Sequence, residues 1–92
     1  MSDLISVIIP VYNSENYLKE CLDSVVNQTF KDIEIICINN GSTDNSEAII
    51  KSFAEKYKKF IFFNEKNKID SKCVRDLAIG ASTGDYILIL EV

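Results

Sequence analysis

Apolar residues fall along this chain in two alternating kinds of pattern. Four stretches are near-continuous and rich in β-branched or aromatic residues: 4–11 (LISVIIPV), 33–38 (IEIICI), 60–63 (FIFF) and 86–90 (YILIL). Strands with one wet face alternate apolar with polar, whereas unbroken apolar runs suit parallel strands covered on both faces. Between these runs the apolar positions recur at helical spacing. They are Tyr17, Leu18, Cys21, Leu22, Val25 and Val26 in 15–27, and Ile49, Ile50, Phe53, Ala54 and Tyr57 in 45–58. A shorter stripe in 71–81 comprises Val74, Leu77, Ala78 and Ala81. Asp44 followed by Glu47 resembles a capping box opening the second helix, and Gly84 breaks the chain before the last strand. The order β-α-β-α-β-α-β predicts an α/β fold, a parallel four-stranded sheet with helices on both faces. Right-handed crossovers lead to the strand order 3-2-1-4, with strand four at an edge. The topological switch then lies between strands one and four, and ligands of such sheets bind there, beyond the carboxyl ends of the strands. Val11-Tyr12-Asn13, Asn39-Asn40-Gly41-Ser42 and Glu91-Val92 converge at that point.

Composition narrows the reading. Ninety-two residues, 47% of them hydrophobic and 26% charged, make one small globular domain, 1–92, with no low-complexity tract. The net charge is −4 and Arg75 is the sole arginine, which argues against a nucleic-acid groove. Cys21, Cys37 and Cys73 stand at wide spacing and the chain has no His, so a Cys/His zinc site is excluded. Buried free thiols in a reducing compartment are the simpler reading. No apolar run is long enough to span a membrane, and the start, MSDLIS, is no signal peptide. A cytoplasmic location follows as the expectation.

Motifs of cofactor chemistry are missing. No GxGxxG follows the first strand, which runs into Pro10-Val11-Tyr12-Asn13-Ser14, and no GxxxxGK[ST] or GxSxG is present. Taken singly, the polar residues have ordinary readings. Tyr12 could cap the core edge as well as face a base, Asn39-Asn40-Gly41-Ser42 reads as a tight turn, and Asp44 reads as a helix N-cap. Arg75 could be a solvated charge.

In combination, the blocks Pro10-Val11-Tyr12-Asn13, 22–30 (LDSVVNQTF), 39–44 (NNGSTD), Arg75-Asp76 and 81–87 (ASTGDYI) say more. Their order and spacing resemble the family 2 glycosyltransferases, inverting enzymes of the GT-A fold, whose pattern reads PVYN, CLDSVLNQT, DDGSTD, ARN and TGEYI leading to FLDSDD. The resemblance covers essentially the whole chain and implies a partial GT-A domain. It implies that Tyr12 packs against the uracil of UDP, that Pro10, Asn39 and Asn40 border the nucleotide, and that Arg75 lies near it. Asp85 is read as structural. In this family the sugar of a nucleotide-sugar, usually UDP-linked, passes to a hydroxyl of a saccharide or lipid-linked acceptor with inversion. A divalent ion, Mg²⁺ or Mn²⁺, neutralises the leaving diphosphate, and a carboxylate base deprotonates the acceptor. The full-length enzymes can be peripheral at the membrane.

Several positions depart from the pattern. Asn39 and Asn40 stand where the family has two carboxylates, and Asp76 replaces an Asn. The segment 67–71 (NKIDS) lacks the usual glycines, and Glu91-Val92 stands at the start of the Asp-x-Asp motif as a poor metal ligand. The expectation is a nucleotide-binding portion without its own metal site or catalytic residues, inactive alone and binding UDP weakly. Restoring the acids by Asn39→Asp and Asn40→Asp is expected to strengthen that binding. The bare edge of strand four is expected to pair two copies as a homodimer. A non-catalytic remnant or interaction module is the alternative. A receiver-like domain is a third reading, which lacks its acidic cluster after strand one.

Overall fold

The computed structural model describes residues 4–27 and 32–91; Gln28, Thr29 and Phe30 of the 22–30 block, and Val92, lie outside them. The elements are β1 (Leu4–Val11), α1 (Glu15–Val26), β2 (Asp32–Asn40), α2 (Ser46–Lys56), β3 (Phe60–Glu65), α3 (Ser71–Ala81) and β4 (Tyr86–Ile89). The sheet is parallel in the order β3-β2-β1-β4, the order expected from the sequence.

Because side chains alternate across a strand, odd and even positions build separate cores. Val7, Ile9, Val11, Ile35 and Cys37 pack under Leu18 and Leu22 of α1 and Ile50 and Phe53 of α2. Ile8, Ile36 and Ile38 pack on the other face against Val74 and Ala78 of α3. Each fully buried Ile or Leu contributes about 1.5–3 kcal/mol relative to exposure. The central pair β1 and β2 supplies most of them.

Three details differ from the sequence reading. β2 continues through Asn39 and Asn40, which pair with Asn64 and Glu65 of β3. The ladder rather than hydrophobicity sets its end, so the turn starts at Gly41, with φ +71°. α2 starts at Ser46 with Asn45 in the cap position and no side-chain cap bond. Asp44, one residue earlier, accepts from the Ser46 N–H instead. As expected of the bare edge, β4 is apolar yet uncovered: Tyr86, Ile87, Leu88 and Ile89 are all exposed. α1 and α2 serve one face of the central strands and α3 the other, and neither layer reaches this edge.

At the amino-terminal end of the sheet, two polar residues interrupt the apolar runs of β1 and β2. The Ser6 hydroxyl donates to Glu34 Oε2 at 2.6 Å. The Thr83 N–H and hydroxyl donate to the same carboxylate at 2.8 and 2.9 Å. The Gly84 N–H in turn donates to Ser6 Oγ at 2.9 Å. Burial alone pushes the Glu34 carboxyl upward, but these bonds, with help from Lys59, hold it below the usual glutamate range. Glycine is required at 84, since a Cβ there would lie 2.5 Å from Ser6 Oγ and 2.7 Å from the Ser6 nitrogen. Asp85 completes the fastening, accepting from the Leu4 N–H at 3.0 Å. The TGD segment therefore locks the start of β4 onto β1.

Candidate functional site

The opposite, carboxyl end of the sheet carries the residues singled out in the sequence. Pro10 lies at the end of β1 and Tyr12 just beyond it, Asn40 ends β2, Arg75 projects from the second turn of α3, and Glu91 follows β4. Two small adjoining clefts gather them. One, of about 60 Å³, is lined by Pro10, Asn40, Ser71, Val74, Arg75 and Glu91. The other, of about 210 Å³, shares Pro10, Asn40, Ser71 and Glu91 and adds Val11, Tyr12 and Lys68. The site thus lies at the switch between β1 and β4, where a ligand of a doubly wound sheet belongs.

Asn39 is not brought to these clefts. It shares the face of Ile35 and Cys37, opposite to Asn40, because neighbours on a strand point to opposite sides. Only 1% exposed, it donates to Asn64 Oδ1 at 2.8 Å and leaves its own Oδ1 without a hydrogen-bond partner among the described residues.

The Asn40 side chain reads the backbone of another segment. Its Nδ2 donates to the Ile69 carbonyl at 3.0 Å and its Oδ1 accepts from the Ile69 N–H at 2.8 Å. The amide mimics one rung of a sheet and holds 67–69 over the end of β2. Gly41 permits the approach: a Cβ there would lie 2.6 Å from the Lys68 nitrogen. The Lys68 ammonium then sits 4.1 Å from the centre of the Tyr12 ring, which is 45% exposed.

The loop bearing Tyr12 is fastened as firmly. Asn13 takes a left-handed conformation, φ +47°, that short polar side chains tolerate. Its N–H donates to Ser42 Oγ at 2.9 Å and its Oδ1 accepts from the Thr43 N–H at 2.7 Å. The Ser14 N–H donates to Ser46 Oγ at 3.0 Å. Asp44 bridges the starts of both helices, accepting from the Glu15 N–H at 3.1 Å and the Ser46 N–H at 2.9 Å. Desolvation raises the Asp44 carboxyl, but the bonds from Ser46 and Glu15 outweigh it and keep the carboxyl below its ordinary range. Asp44 therefore caps by reaching across loops.

Electrostatically the site offers two cations. Arg75 Nη2 stands 3.6 Å from Glu91 Oε1, both side chains exposed, a weak pairing that leaves the guanidinium free to engage an anion. Glu91 is the single carboxylate lining the two clefts, and no group of three or more His, Cys, Asp or Glu is placed to hold a metal among the described residues. These residues do not by themselves fit a divalent ion. A larger hollow of about 340 Å³ opens at the other end of the sheet between Val25, Ile33, Tyr57 and Lys59. Asp32, Lys58 and Lys59 also line it, but it lies away from the topological switch, where ligands of such sheets bind. No described helix is long and apolar enough to cross a membrane.

Lys68, Ser71 and the Asn13–Thr43 fastening were not among the sequence candidates. Nothing in the pattern marks Lys68 among nine lysines; its place follows from the Asn40–Ile69 pairing. Gly41, the residue type that a left-handed backbone favours, is the one available signal.

Comparison with known proteins agrees with this geometry. The model of glycosyl transferase family 2 matches residues 6–92. The chain is 40% identical over 91 residues to the glycosyltransferase GlyA of Streptococcus pneumoniae, covering 99% of this chain and 13% of that protein. It is 42% identical over 90 residues to the poly(ribitol-phosphate) beta-glucosyltransferase of Bacillus spizizenii, covering 95% of this chain and 14% of that protein. This chain thus spans a small part of the length of these relatives. Among solved structures, S. aureus TarS 1-349 in complex with UDP superposes with a TM-score of 0.83 at 27% identity, over 95% of this chain and 26% of that one. The mannosyltransferase PcManGT of Pyrobaculum calidifontis, in complex with GDP-Man and Mn²⁺, shares the fold with a TM-score of 0.87 at 21% identity, over 99% of this chain and 28% of that one. By the match along nearly its whole length, the chain belongs to glycosyl transferase family 2.

Proposed function

We propose that this chain supplies the nucleoside-diphosphate end of a UDP-sugar site, in a protein that transfers the sugar to an acceptor hydroxyl with inversion. The observation that carries the reading is the pair of adjoining clefts at the switch point, in which an exposed aromatic ring, Tyr12, stands beside the cationic Lys68, with Arg75 in the neighbouring cleft. A flat base stacks on an aromatic ring, and a diphosphate takes a bidentate guanidinium partner. The UDP bound by TarS supports uracil as the base. The PcManGT complex leaves guanine as the competing outcome. The acceptor of the whole protein is read as a saccharide or lipid-linked hydroxyl, and the poly(ribitol-phosphate) beta-glucosyltransferase among the relatives adds a polyol-phosphate polymer to the candidates. Of the three free thiols only Cys37 is buried, where the sequence suggests burial of all three; free thiols still support the cytoplasm as the compartment.

A divalent ion belongs to this chemistry in the family pattern, and it would need carboxylates beyond Glu91. We infer that residues 1–92 alone bind nucleotide weakly and transfer no sugar. The uncovered β4, with Leu88 49% exposed, supports pairing of two copies along this edge as a two-fold dimer. Light scattering over a concentration series tests that association, and a monomer throughout would refute it.

Titration of the 92-residue chain with UDP, GDP and NAD, followed by amide NMR shifts, tests the nucleotide reading. Shifts at Tyr12, Lys68 and Arg75 with UDP in preference to the others are the expected result. A preference for NAD, or shifts confined to the opposite end of the sheet, would overturn it.

A further inference from the structure

Lys68 differs from the other lysines in being placed on both sides of its contact. Its backbone is fixed by the two-way pairing of the Asn40 amide with Ile69 and by the close approach that Gly41 allows. Its partner ring is fixed by the bonds of Asn13 and Ser14 to Ser42, Thr43 and Ser46. A solvated surface lysine has neither constraint. Among the described residues Lys68 has no carboxylate partner, whereas Arg75 already has Glu91. The ammonium therefore rests on the negative face of an aromatic ring, at the mouth of a cleft of about 210 Å³ that it lines together with Tyr12.

Two ligands want that ring face. An uncharged base gains by stacking on it, and the ammonium holds it when no ligand is present. The cation–π contact is weak at an exposed ring, and a dianionic diphosphate is a far stronger partner for the same ammonium than a ring quadrupole. Resting on the foregoing reading of the site as one for UDP, we propose that Lys68 is a positioning residue. It occupies Tyr12 in the empty site, yields the ring to the base, and turns its ammonium onto the diphosphate. Binding of the two halves of the ligand is then coupled through one side chain. A nucleoside displaces Lys68 with nothing in return, whereas a nucleoside diphosphate displaces it and receives its charge. Lys68 would thus make the site discriminate for the phosphorylated ligand.

The test measures uridine and UDP affinities by NMR titration on the wild-type chain, Lys68→Met and Lys68→Arg. Methionine keeps much of the stem and removes the charge. At this exposed position both variants are expected to melt with the wild type, which a thermal scan checks. Lys68→Met is expected to weaken UDP about tenfold, the equivalent of one charge-assisted bond, while uridine binds unchanged or about twofold tighter. Lys68→Arg should stay within about threefold of wild type for UDP. Raising NaCl from about 0.05 to about 0.5 M should weaken UDP binding less in Lys68→Met than in wild type. If Lys68→Met lowers uridine and UDP by the same factor, Lys68 only packs on the ring and the proposal fails. If it changes neither, the proposal fails as well, with the nucleotide reading intact. A wild-type chain that binds neither uridine nor UDP removes both.

Discussion

Two clusters of polar side chains, one at each end of this sheet, differ in what those side chains have left to offer. At the amino-terminal end, the Glu34 carboxylate accepts from Ser6 and twice from Thr83, the Ser6 hydroxyl accepts from Gly84, and Asp85 accepts from Leu4. At the carboxyl end, the Tyr12 ring is half open, the ammonium of Lys68 has only that ring among the described residues, and Arg75 has one long ion pair. A buried polar group within a strand therefore says little about function until its partners are counted. Full satisfaction marks fastening; unused donors, charge and aromatic surface around a hollow mark binding.

The strongest way to break this contrast is at the fastened end. Glu34→Ala leaves the Ser6 hydroxyl and the Thr83 donors facing an empty space, and should destabilise the fold by about 2–3 kcal/mol. Gly84→Ala forces a Cβ against Ser6 backbone and side chain and should cost a similar amount. Urea denaturation measures both. UDP affinity, taken well below the melting transition, should stay within about twofold of wild type, since the clefts lie at the other end. A large loss of affinity without loss of stability in Glu34→Ala would erase the distinction between the ends.

Next in size are changes at the open end. Tyr12→Ala removes the stacking surface and should weaken UDP about tenfold. The unfolding midpoint should hardly move, because the ring contributes little to either core. Gly41→Ala shifts the 67–69 segment and should weaken both stability and UDP binding, so calorimetry and denaturation together separate it from Gly84→Ala. Asn40→Asp is the instructive case. The sequence suggests that restoring an acid strengthens the nucleotide site. The structure sets a carboxylate oxygen against the Ile69 carbonyl in place of a donor. Asn40→Asp should therefore loosen Lys68 and weaken UDP by about threefold to tenfold. A gain in affinity would show that position 40 reads the ligand directly.

How far the sequence reaches follows from which physical rule each element obeys. All four strands and three helices are legible because hydrophobic period alone decides them, and α3 falls on the expected 71–81. The strand order is legible because handedness leaves few alternatives. Asn39 and Asn40 are where this reasoning gives out. Their type suggests a turn, yet pairing with β3 extends the strand through them and sends their side chains to opposite faces. Glu34 is invisible as a fastening, because its partners Ser6 and Thr83 lie 28 and 49 residues away. Lys68 is invisible for the same reason: its position depends on a long-range amide pairing that no local pattern encodes.

The gentlest test of the contrast is acid. The chain has no His, so carboxylates shape the acid limb of its stability. Glu34 and Asp44, one at each end, both titrate below their ordinary values. A carboxyl depressed in the folded state gives stability that is fully present above its unfolded value, about 4.3 for Glu and 3.9 for Asp. That stability is lost as pH falls through the folded value. Stability should therefore decline as pH drops below about 4.5. The two ends should contribute unequally. The Glu34 carboxylate is buried and holds three donors from two segments, whereas Asp44 is only half-buried, so that solvent reaches and screens its bonds. Glu34→Gln should lower stability near neutrality and flatten most of the acid limb. Asp44→Asn should leave the limb nearly intact and instead loosen the Tyr12 loop, seen as altered amide shifts at Asn13 and Glu15. Urea unfolding at pH steps from about 3 to about 6 reads the slopes. If Asp44→Asn flattens the limb more than Glu34→Gln, the open end is the one that holds the fold together, and the division of labour between the two ends is the reverse of what their hydrogen bonds indicate.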